Sequence, residues 1–178
     1  MFILAKFLKT YYSQNEMIKN KVKQSGILTF DLLDYIPHVE IIEFDIKNLL
    51  HQELVLIEKD FKNALSLLDY TTYKNKVIAI VCSVDTIIPS WAYMYLTTMF
   101  HEHSVYLDFK SAEEIKIDLW CKNLNNADLY EFIDHKVVIR ARADLPPTLY
   151  IAASSKLLPI VTTLMYGEAG MPKVIYKN

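Results

Sequence analysis

The sequence predicts an α/β protein, with a layered, mostly parallel or mixed sheet and flanking helices. Apolar strand segments alternate with segments of helical spacing, and parallel neighbours need a crossover connection between them. Val77 to Cys82 (VIAIVC) is apolar on both faces, as in a central strand that is covered on both sides. Pro89 and Pro147 stand where helices begin, a position that suits a residue with a fixed φ and no N–H.

The first half of the chain carries short elements separated by stop signals. Gly26 ends a lysine-rich, helix-compatible segment, Pro37 marks a turn, and Asp45 caps the segment after it. Phe61 and Leu65 share one face of a later helix. The predicted elements are a helix at 17–24, strands at 27–33 and 39–44, a short segment at 46–51 and a helix at 58–68.

The second half reads strand, helix, strand twice, with one further helix between the two rounds. That further helix starts at a capping box, the pattern in which Ser111 and Glu114 bond each other's backbone N–H groups. The predicted elements are strands at 77–82, 105–109, 137–143, 161–166 and 173–176, and helices at 90–100, 111–123 and 147–158.

The two rounds resemble each other in sequence. Lys76-Val77-Ile78 reappears as Lys136-Val137-Val138, and Pro89-Ser90 as Pro147-Thr148, each proline following an acidic loop. We therefore expect two related βαβ units, at about 69–110 and 128–168, with right-handed crossovers in one sheet and a pseudo-twofold relation. The alternative is that any two βαβ units look alike at this level.

Composition excludes several classes of function. The chain has 178 residues, a net charge of −2 and a pI near 6.2, so no nucleic-acid partner is expected. Three glycines rule out a glycine-rich phosphate loop. Two cysteines provide no disulfide framework, which favours a reducing, cytoplasmic setting.

The N-terminal segment is expected to lie outside the fold. Residues 1–8 (MFILAKFL) form an apolar run interrupted by Lys6, far shorter than the ~20 apolar residues that cross a bilayer. The run also lacks the charge order and cleavage site of a signal peptide, so no membrane partner is expected. We interpret 1–16 as a fraying turn or, preferably, an extension upstream of a start at Met17, and 17–178 as a single α/β domain.

Polar residues after the predicted strands form a candidate ligand site. Ligands of open α/β sheets bind beyond the carboxyl ends of the strands, and helix N-termini receive anions. The candidates come from the loops after strands 77–82 and 137–143 and from one helix start: Cys82, Ser83, Asp85, Ser90, Trp91, Arg142 and Asp144. The structural alternative, which we favour, is that Cys82 is a small buried hydrophobe and Asp85 orders its loop.

The histidines give a weak metal signal. His101-Glu102-His103 carries alternating imidazoles, but no further ligand follows at a zinc spacing. No metal and no cofactor is therefore expected. His101 and His103 also lie roughly 15 Å along a helix from Cys82, too far to serve as its base.

Two arginines form a second charged signal. Arg140 and Arg142 alternate on their predicted strand and so face one side of it. A paired guanidinium face can hold a carboxylate or phosphate ligand. Pairing with acidic residues of the chain itself is favoured here, the candidates being Glu113, Glu114 and Glu131.

Several strings of residues resemble a known family. They are GILTFDL at 26–32, FDIK at 44–47, EKDF at 58–61, CSVD at 82–85, IPSWAYM at 88–94 and LMYGE at 164–168. With them, residues 17–178 resemble the domain-of-unknown-function family 2480, small cytoplasmic proteins of bacteria. The resemblance implies no activity. It implies Cys-Ser where this chain has Arg142-Ala143, and a further cysteine near Gly170-Met171, so a function that needs those thiols is not expected here.

A non-enzymatic binding or interaction protein is the preferred functional interpretation. Twelve tyrosines make a homodimer through an aromatic helix face or a sheet edge a candidate, because tyrosine is enriched at interfaces. The alternative is a small-ligand-binding protein or an enzyme that uses the candidate site above. A deep pocket joining both loops favours that alternative, and a filled surface favours the interaction module.

Overall fold

The computed structural model describes residues 26–168 and 170–178 of the chain. The predicted helix at 17–24 and the predicted extension at 1–16 lie outside these residues. The described elements are β1 (Ile27–Phe30), β2 (Ile41–Asp45), α1 (Glu58–Ser66), β3 (Val77–Val81), α2 (Ser90–Phe100), β4 (Tyr106–Asp108), α3 (Ala112–Asn126), β5 (Lys136–Arg140), α4 (Pro147–Leu157), β6 (Thr163–Gly167) and β7 (Lys173–Lys177).

The chain forms two compact units, each with its own sheet. Of the described residues, unit 1 holds 26–36 and Trp120–Asn178, and unit 2 holds Pro37–Leu119. The boundary falls inside α3, after Leu119. Whether the units together form one domain stays a prediction.

Unit 2 has a three-stranded parallel sheet in the order β2-β3-β4. One face of β3 packs against α1 and α2, and the buried residues of that layer are Phe44, Ile46, Leu50, Phe61, Leu65, Ile78, Ile80, Ala92, Leu96 and Phe100. The other face of β3 packs against the first half of α3, with Val77, Ala79 and Ile115 fully or almost fully buried. The middle strand is thus covered on both sides, as its apolar sequence predicts.

Unit 1 has a four-stranded mixed sheet in the order β1-β5-β6-β7, with only β7 antiparallel. Its core contains residues of β1, β5, β6, α4 and the second half of α3, among them Phe30, Trp120, Val137, Ile139, Leu149 and Leu164. Trp120 also donates its indole N–H to the carbonyl of Leu32 at 2.8 Å. This buried hydrogen bond joins α3 to the segment after β1.

The two units repeat the same strand register. In each, the first residue of the middle strand lies between the first residues of its neighbours, as Ile41–Val77–Tyr106 in unit 2 and Ile27–Lys136–Thr163 in unit 1. A left-handed residue precedes each middle strand, Asn75 at φ 61° and Asp134 at φ 60°. Their N–H groups donate to the carbonyls of His103 and Ile160, which precede the third strand of each unit.

The crossover helices of the two units correspond as well, but their alignment differs by one residue from the alignment that the sequence suggests. Both α2 and α4 have 11 residues and begin after a proline in extended conformation, Pro89 (φ −68°) and Pro146 (φ −67°). The sequence comparison paired Pro89 with Pro147, so it is one residue out of register. The pseudo-twofold relation stays a prediction.

The predicted α/β fold class is confirmed, and all four described helices begin at or within one residue of their predicted starts. The expectation that both units share one sheet is wrong. β3 has β2 and β4 as its neighbours, and β5 has β1 and β6. Both sides of each middle strand are therefore paired, and β3 and β5 cannot pair with each other. No described helix is long and apolar enough to cross a membrane.

Two predicted strands end earlier than expected. The strand at 27–33 stops at Phe30, because Asp31 accepts a hydrogen bond from the Leu33 N–H and starts a 3-10 turn over Leu32–Tyr35. The strand at 137–143 ends at Arg140. Asp45 caps its predicted segment, which is a 3-10 turn over Ile46–Leu49.

Candidate functional site

In unit 2, Asp45 organises the carboxyl end of the sheet. Its Oδ1 accepts from the N–H of Lys47 at 2.9 Å and from the N–H of Ser83 at 3.1 Å. Burial alone would raise the pKa of Asp45, but the hydrogen bonds from Ser83 and Lys47 outweigh it and lower the pKa. The carboxylate therefore holds the loop after β3 against the end of β2.

The predicted ligand residues of unit 2 lie in different environments. The thiol of Cys82 is half-buried and donates to the Val84 carbonyl at 3.4 Å, whereas Ser83, Asp85 and Ser90 are exposed. Trp91 packs against α1 instead, with its ring perpendicular to that of Phe61 and 5.8 Å from it. The Lys62 ammonium lies 5.7 Å from the centre of the same indole. Trp91 thus serves the helix packing of unit 2.

In unit 1, Asp31 takes the position that Asp45 has in unit 2. Arg142 donates to its carboxylate through Nη2 at 2.6 Å and Nε at 3.3 Å, and Arg140 through Nη1 at 3.3 Å. The hydrogen bond from Arg142 is the largest influence on the pKa of Asp31 and lowers it. Glu168 accepts from the Nε of Arg140 at 3.4 Å. The guanidinium groups are therefore largely neutralised within the unit.

Tyr150 holds the backbone of the same loop. Its hydroxyl accepts from the Arg142 N–H at 2.8 Å and donates to the Arg142 carbonyl at 3.0 Å. Burial raises the pKa of Tyr150. Asp144, two residues further along the chain, is exposed.

The expected pairing of the arginines with Glu113, Glu114 or Glu131 is wrong. Their carboxylate partners are Asp31 and Glu168, because β1 and β6 flank β5 and end beside it. Glu114 instead accepts from the Ser111 N–H, and the Ser111 hydroxyl accepts from the Glu114 N–H, as the predicted capping box requires. Sequence reasoning did not find Asp31, although an aspartate just after a strand, followed by a turn, was recognised at Asp45.

The seven predicted site residues fall into two groups. Cys82, Ser83, Asp85, Ser90 and Trp91 belong to unit 2, and Arg142 and Asp144 belong to unit 1. That the two groups form one ligand site stays a prediction.

The histidine segment takes part in ring packing. The imidazole of His103 stacks on Tyr70, with centroids 5.0 Å apart and an interplanar angle of 22°. Burial raises the pKa of Tyr70 to about 12, and its hydroxyl donates to the Leu65 carbonyl at 2.8 Å. Within 26–168 and 170–178, no three histidine, cysteine or acidic side chains are placed to hold a metal ion.

Among the described strands, β2 and β4 are the two edges of the unit 2 sheet, and β4 is the edge with exposed aromatic side chains. Among the described strands only β3 pairs with β4. Val105, Tyr106 and Phe109, which we call the β4 edge, are 64%, 43% and 51% exposed. The Val105 N–H donates to Lys76 on the β3 side. Since backbone groups alternate along a strand, the N–H of Tyr106 points to the open side.

Unit 1 covers the corresponding edge with β7. Thr163 and Tyr166 of β6 lie opposite Lys177 and Lys173 of β7. By the shared register, Thr163 corresponds to Tyr106 and Tyr166 to Phe109. The aromatic contacts agree: Phe109 packs edge-on against Tyr93 at 5.0 Å, and Tyr166 against Tyr150 at 5.7 Å. Within the described residues, unit 2 therefore lacks the fourth strand that unit 1 has.

Comparison with known proteins gives a family without an assigned activity. The profile of the family described as "Protein of unknown function (DUF2480)" matches residues 16–178, which is nearly the whole chain. No curated protein and no solved structure matches the chain. On the extent of this match, the chain belongs to the DUF2480 family.

Proposed function

We propose that the protein is a non-enzymatic interaction module that binds an extended polypeptide segment at the β4 edge. One observation carries the proposal: among the described strands none covers the outer side of β4, whereas the corresponding strand of unit 1, β6, is covered by β7. An edge strand offers unpaired N–H and C=O groups to an added strand, and neighbouring side chains supply specificity.

The side chains of the β4 edge suit an interface. Tyr106 and Phe109 are aromatic, and Phe109 rests on Tyr93, which fixes the orientation of its ring. The hydroxyl of Tyr106 is held by Asp108 at 3.0 Å. Ordered aromatic side chains lose little conformational entropy on binding, so they contribute strongly to association.

The polar groups at the strand ends make structural contacts, which favours neither a ligand site nor a catalytic site there. Asp45 and Asp31 hold loops, Arg142 is paired, and Trp91 packs on α1. In each of these contacts, both partners belong to the same unit. These contacts favour the structural interpretation of the strand-end residues over the ligand site.

We propose further that the two units arose by duplication. The common register, the left-handed residues Asn75 and Asp134, the proline-started helices and the edge-on aromatic pairs all support it. Duplication explains why the outer edge of β4 resembles the edge of β6 that β7 covers in unit 1.

We also propose a cytoplasmic setting in a bacterial cell. The chain has two cysteines, Cys82 and Cys121, and so no disulfide framework. A chain without such a framework fits a reducing compartment.

The test is site-specific crosslinking in the source cells. A photo-crosslinking amino acid replaces Phe109, and a control protein carries it at Tyr130, an aromatic residue of unit 1 that is 80% exposed. We expect a discrete adduct from position 109 and none from position 130. Tyr106→Pro, which removes the outward N–H, should abolish the adduct. An adduct that survives Tyr106→Pro contradicts binding at this edge.

The ligand-binding or enzymatic alternative has its own measurement. Native mass spectrometry of protein purified without added ligand detects a bound small molecule. An extra mass that disappears with Cys82→Ala or Asp85→Ala would favour the alternative. Only the apo mass agrees with the interaction module.

A further inference from the structure

We infer that the segment bound at the β4 edge is an antiparallel strand of another protein, with lysine or arginine at both ends of an apolar centre. This inference rests on the proposed function, and it names the chemistry of the partner. Three features lead to it: the strand that covers the corresponding edge of unit 1, the charge of unit 2, and the side chains along β4.

The first feature is the sequence of β7, Lys-Val-Ile-Tyr-Lys. On β6 its two lysines lie opposite Thr163 and Tyr166. A strand added to β4 in the same register would place its two cationic residues opposite Tyr106 and Phe109. The apolar residues between the two cations would pair with the middle of the edge.

The second feature is the negative charge of unit 2. Residues 37–119 contain 13 Asp and Glu against seven Lys, a net charge of −6. The described residues of unit 1 contain seven of each sign and are neutral. A basic segment is therefore attracted to unit 2 over long range. Two β4 edges of separate copies would instead bring two acidic units together, which argues against a symmetric β4 dimer.

The third feature is the local environment of β4. The rings of Tyr106 and Phe109 offer faces on which an ammonium or guanidinium group is attracted. The nearby cation, Lys110, is paired with both Asp108 at 3.1 Å and Asp118 at 2.8 Å. Its charge is compensated, so it does not repel an incoming lysine.

The test uses a synthetic peptide with the sequence of residues 171–178 (MPKVIYKN), labelled with a fluorophore and titrated into the full-length protein. We expect saturable binding by anisotropy that weakens with increasing salt. A peptide with glutamate in place of both lysines should bind at least about tenfold more weakly, because two attractions become repulsions. Tyr130→Ser in the protein should leave the affinity unchanged.

Tyr106→Pro separates the failure of this inference from failure of the proposed function. If both peptides bind equally and Tyr106→Pro removes both, the edge binds strands but the basic partner is wrong. If Tyr106→Pro changes neither affinity, or no peptide binds, the inference is overturned. Sedimentation supplies the remaining outcome: a dimer of the wild type that Tyr106→Pro dissociates would replace the foreign strand with a second copy.

Discussion

The Nη2 of Arg142 lies 2.6 Å from Oδ2 of Asp31, although 111 positions separate the two residues. The same carboxylate accepts the N–H that starts the 3-10 turn after β1, and it accepts a hydrogen bond from Arg140. One aspartate therefore joins the ends of β1 and β5. In unit 2, Asp45 makes the corresponding connection to Ser83, whose backbone N–H it accepts at 3.1 Å.

Asp31→Asn is expected to destabilise the protein. It weakens charge-assisted hydrogen bonds to two arginines, and we expect a loss of about 1–2 kcal/mol, reduced by partial solvent screening. Urea denaturation measures the change. Asp34→Asn, an exposed neighbour, is the control and should stay within about 0.5 kcal/mol of wild type. An equal loss in both variants would contradict a special role for Asp31.

The Asp31 interaction should also depend on pH with a defined sign. The pKa of Asp31 is lowered in the folded protein, so its contribution is present above the ordinary carboxyl pKa of about 4. The contribution is lost as the pH falls below that value towards the folded pKa. The difference in unfolding free energy between wild type and Asp31→Asn should therefore shrink below about pH 4. A difference that is constant from pH 7 to pH 3 contradicts this.

Tyr150→Phe and Tyr93→Phe should differ, although the two residues occupy corresponding positions. Tyr150 bonds both backbone groups of Arg142, and removing its hydroxyl should cost about 1 kcal/mol. No hydrogen bond of the Tyr93 hydroxyl is found among the described residues, so its loss should cost less than about 0.5 kcal/mol. Thermal unfolding of the pair measures the difference. Equal melting temperatures for the two variants would contradict a stabilising role of the hydrogen bonds between Tyr150 and the Arg142 backbone.

Asp134→Ala should destabilise the protein, and Asp134→Gly should not. Asp134 has φ 60°, a left-handed conformation that costs an alanine about 1–2 kcal/mol and a glycine almost nothing. The corresponding pair of substitutions at Asn75 should show the same order, since its φ is 61°. Chemical denaturation at both sites tests whether the two left-handed positions are equivalent.

Lys173→Val combined with Lys177→Val should make the protein associate. In β7, Val174 and Ile175 are 56% and 58% exposed, and the pairing with β6 is irregular between Leu164 and Met165. Terminal lysines and an irregular register are devices that keep an edge strand from pairing with itself. Sedimentation should show concentration-dependent oligomers. The control, with the exposed Lys116 and Lys122 of α3 changed to valine, removes equal charge and should stay as the wild type.

Short-range features of the fold were predictable from the sequence. The capping box at Ser111 and Glu114, the cap at Asp45 and the proline-started helix α2 depend on groups a few residues apart. Interactions at such separations leave a pattern that can be read along the chain. The apolar run at Val77 predicted its own burial for the same reason.

It was harder to predict from the sequence which strands pair and which charged side chains bond to each other. Arg142 was assigned acidic partners from other segments because nothing local distinguishes Asp31 from Glu113 or Glu131. Trp91 was placed in a ligand site because it begins a helix, but its ring direction depends on Phe61 of α1. Such contacts depend on which elements pack together, and that depends on the whole fold.

Local patterns in the sequence were enough to predict the α/β class, the helix starts, the buried middle strand and the likeness between the two βαβ segments. The folded structure was needed to show that these segments build separate sheets and that Asp31 holds Arg142. It also shows that, within the described residues, β7 covers β6 while β4 stays open. The difference comes from the range of the interactions. Helix caps and hydrophobic periodicity act within a few residues, whereas strand pairing and ion pairs join groups that approach only after the chain has folded.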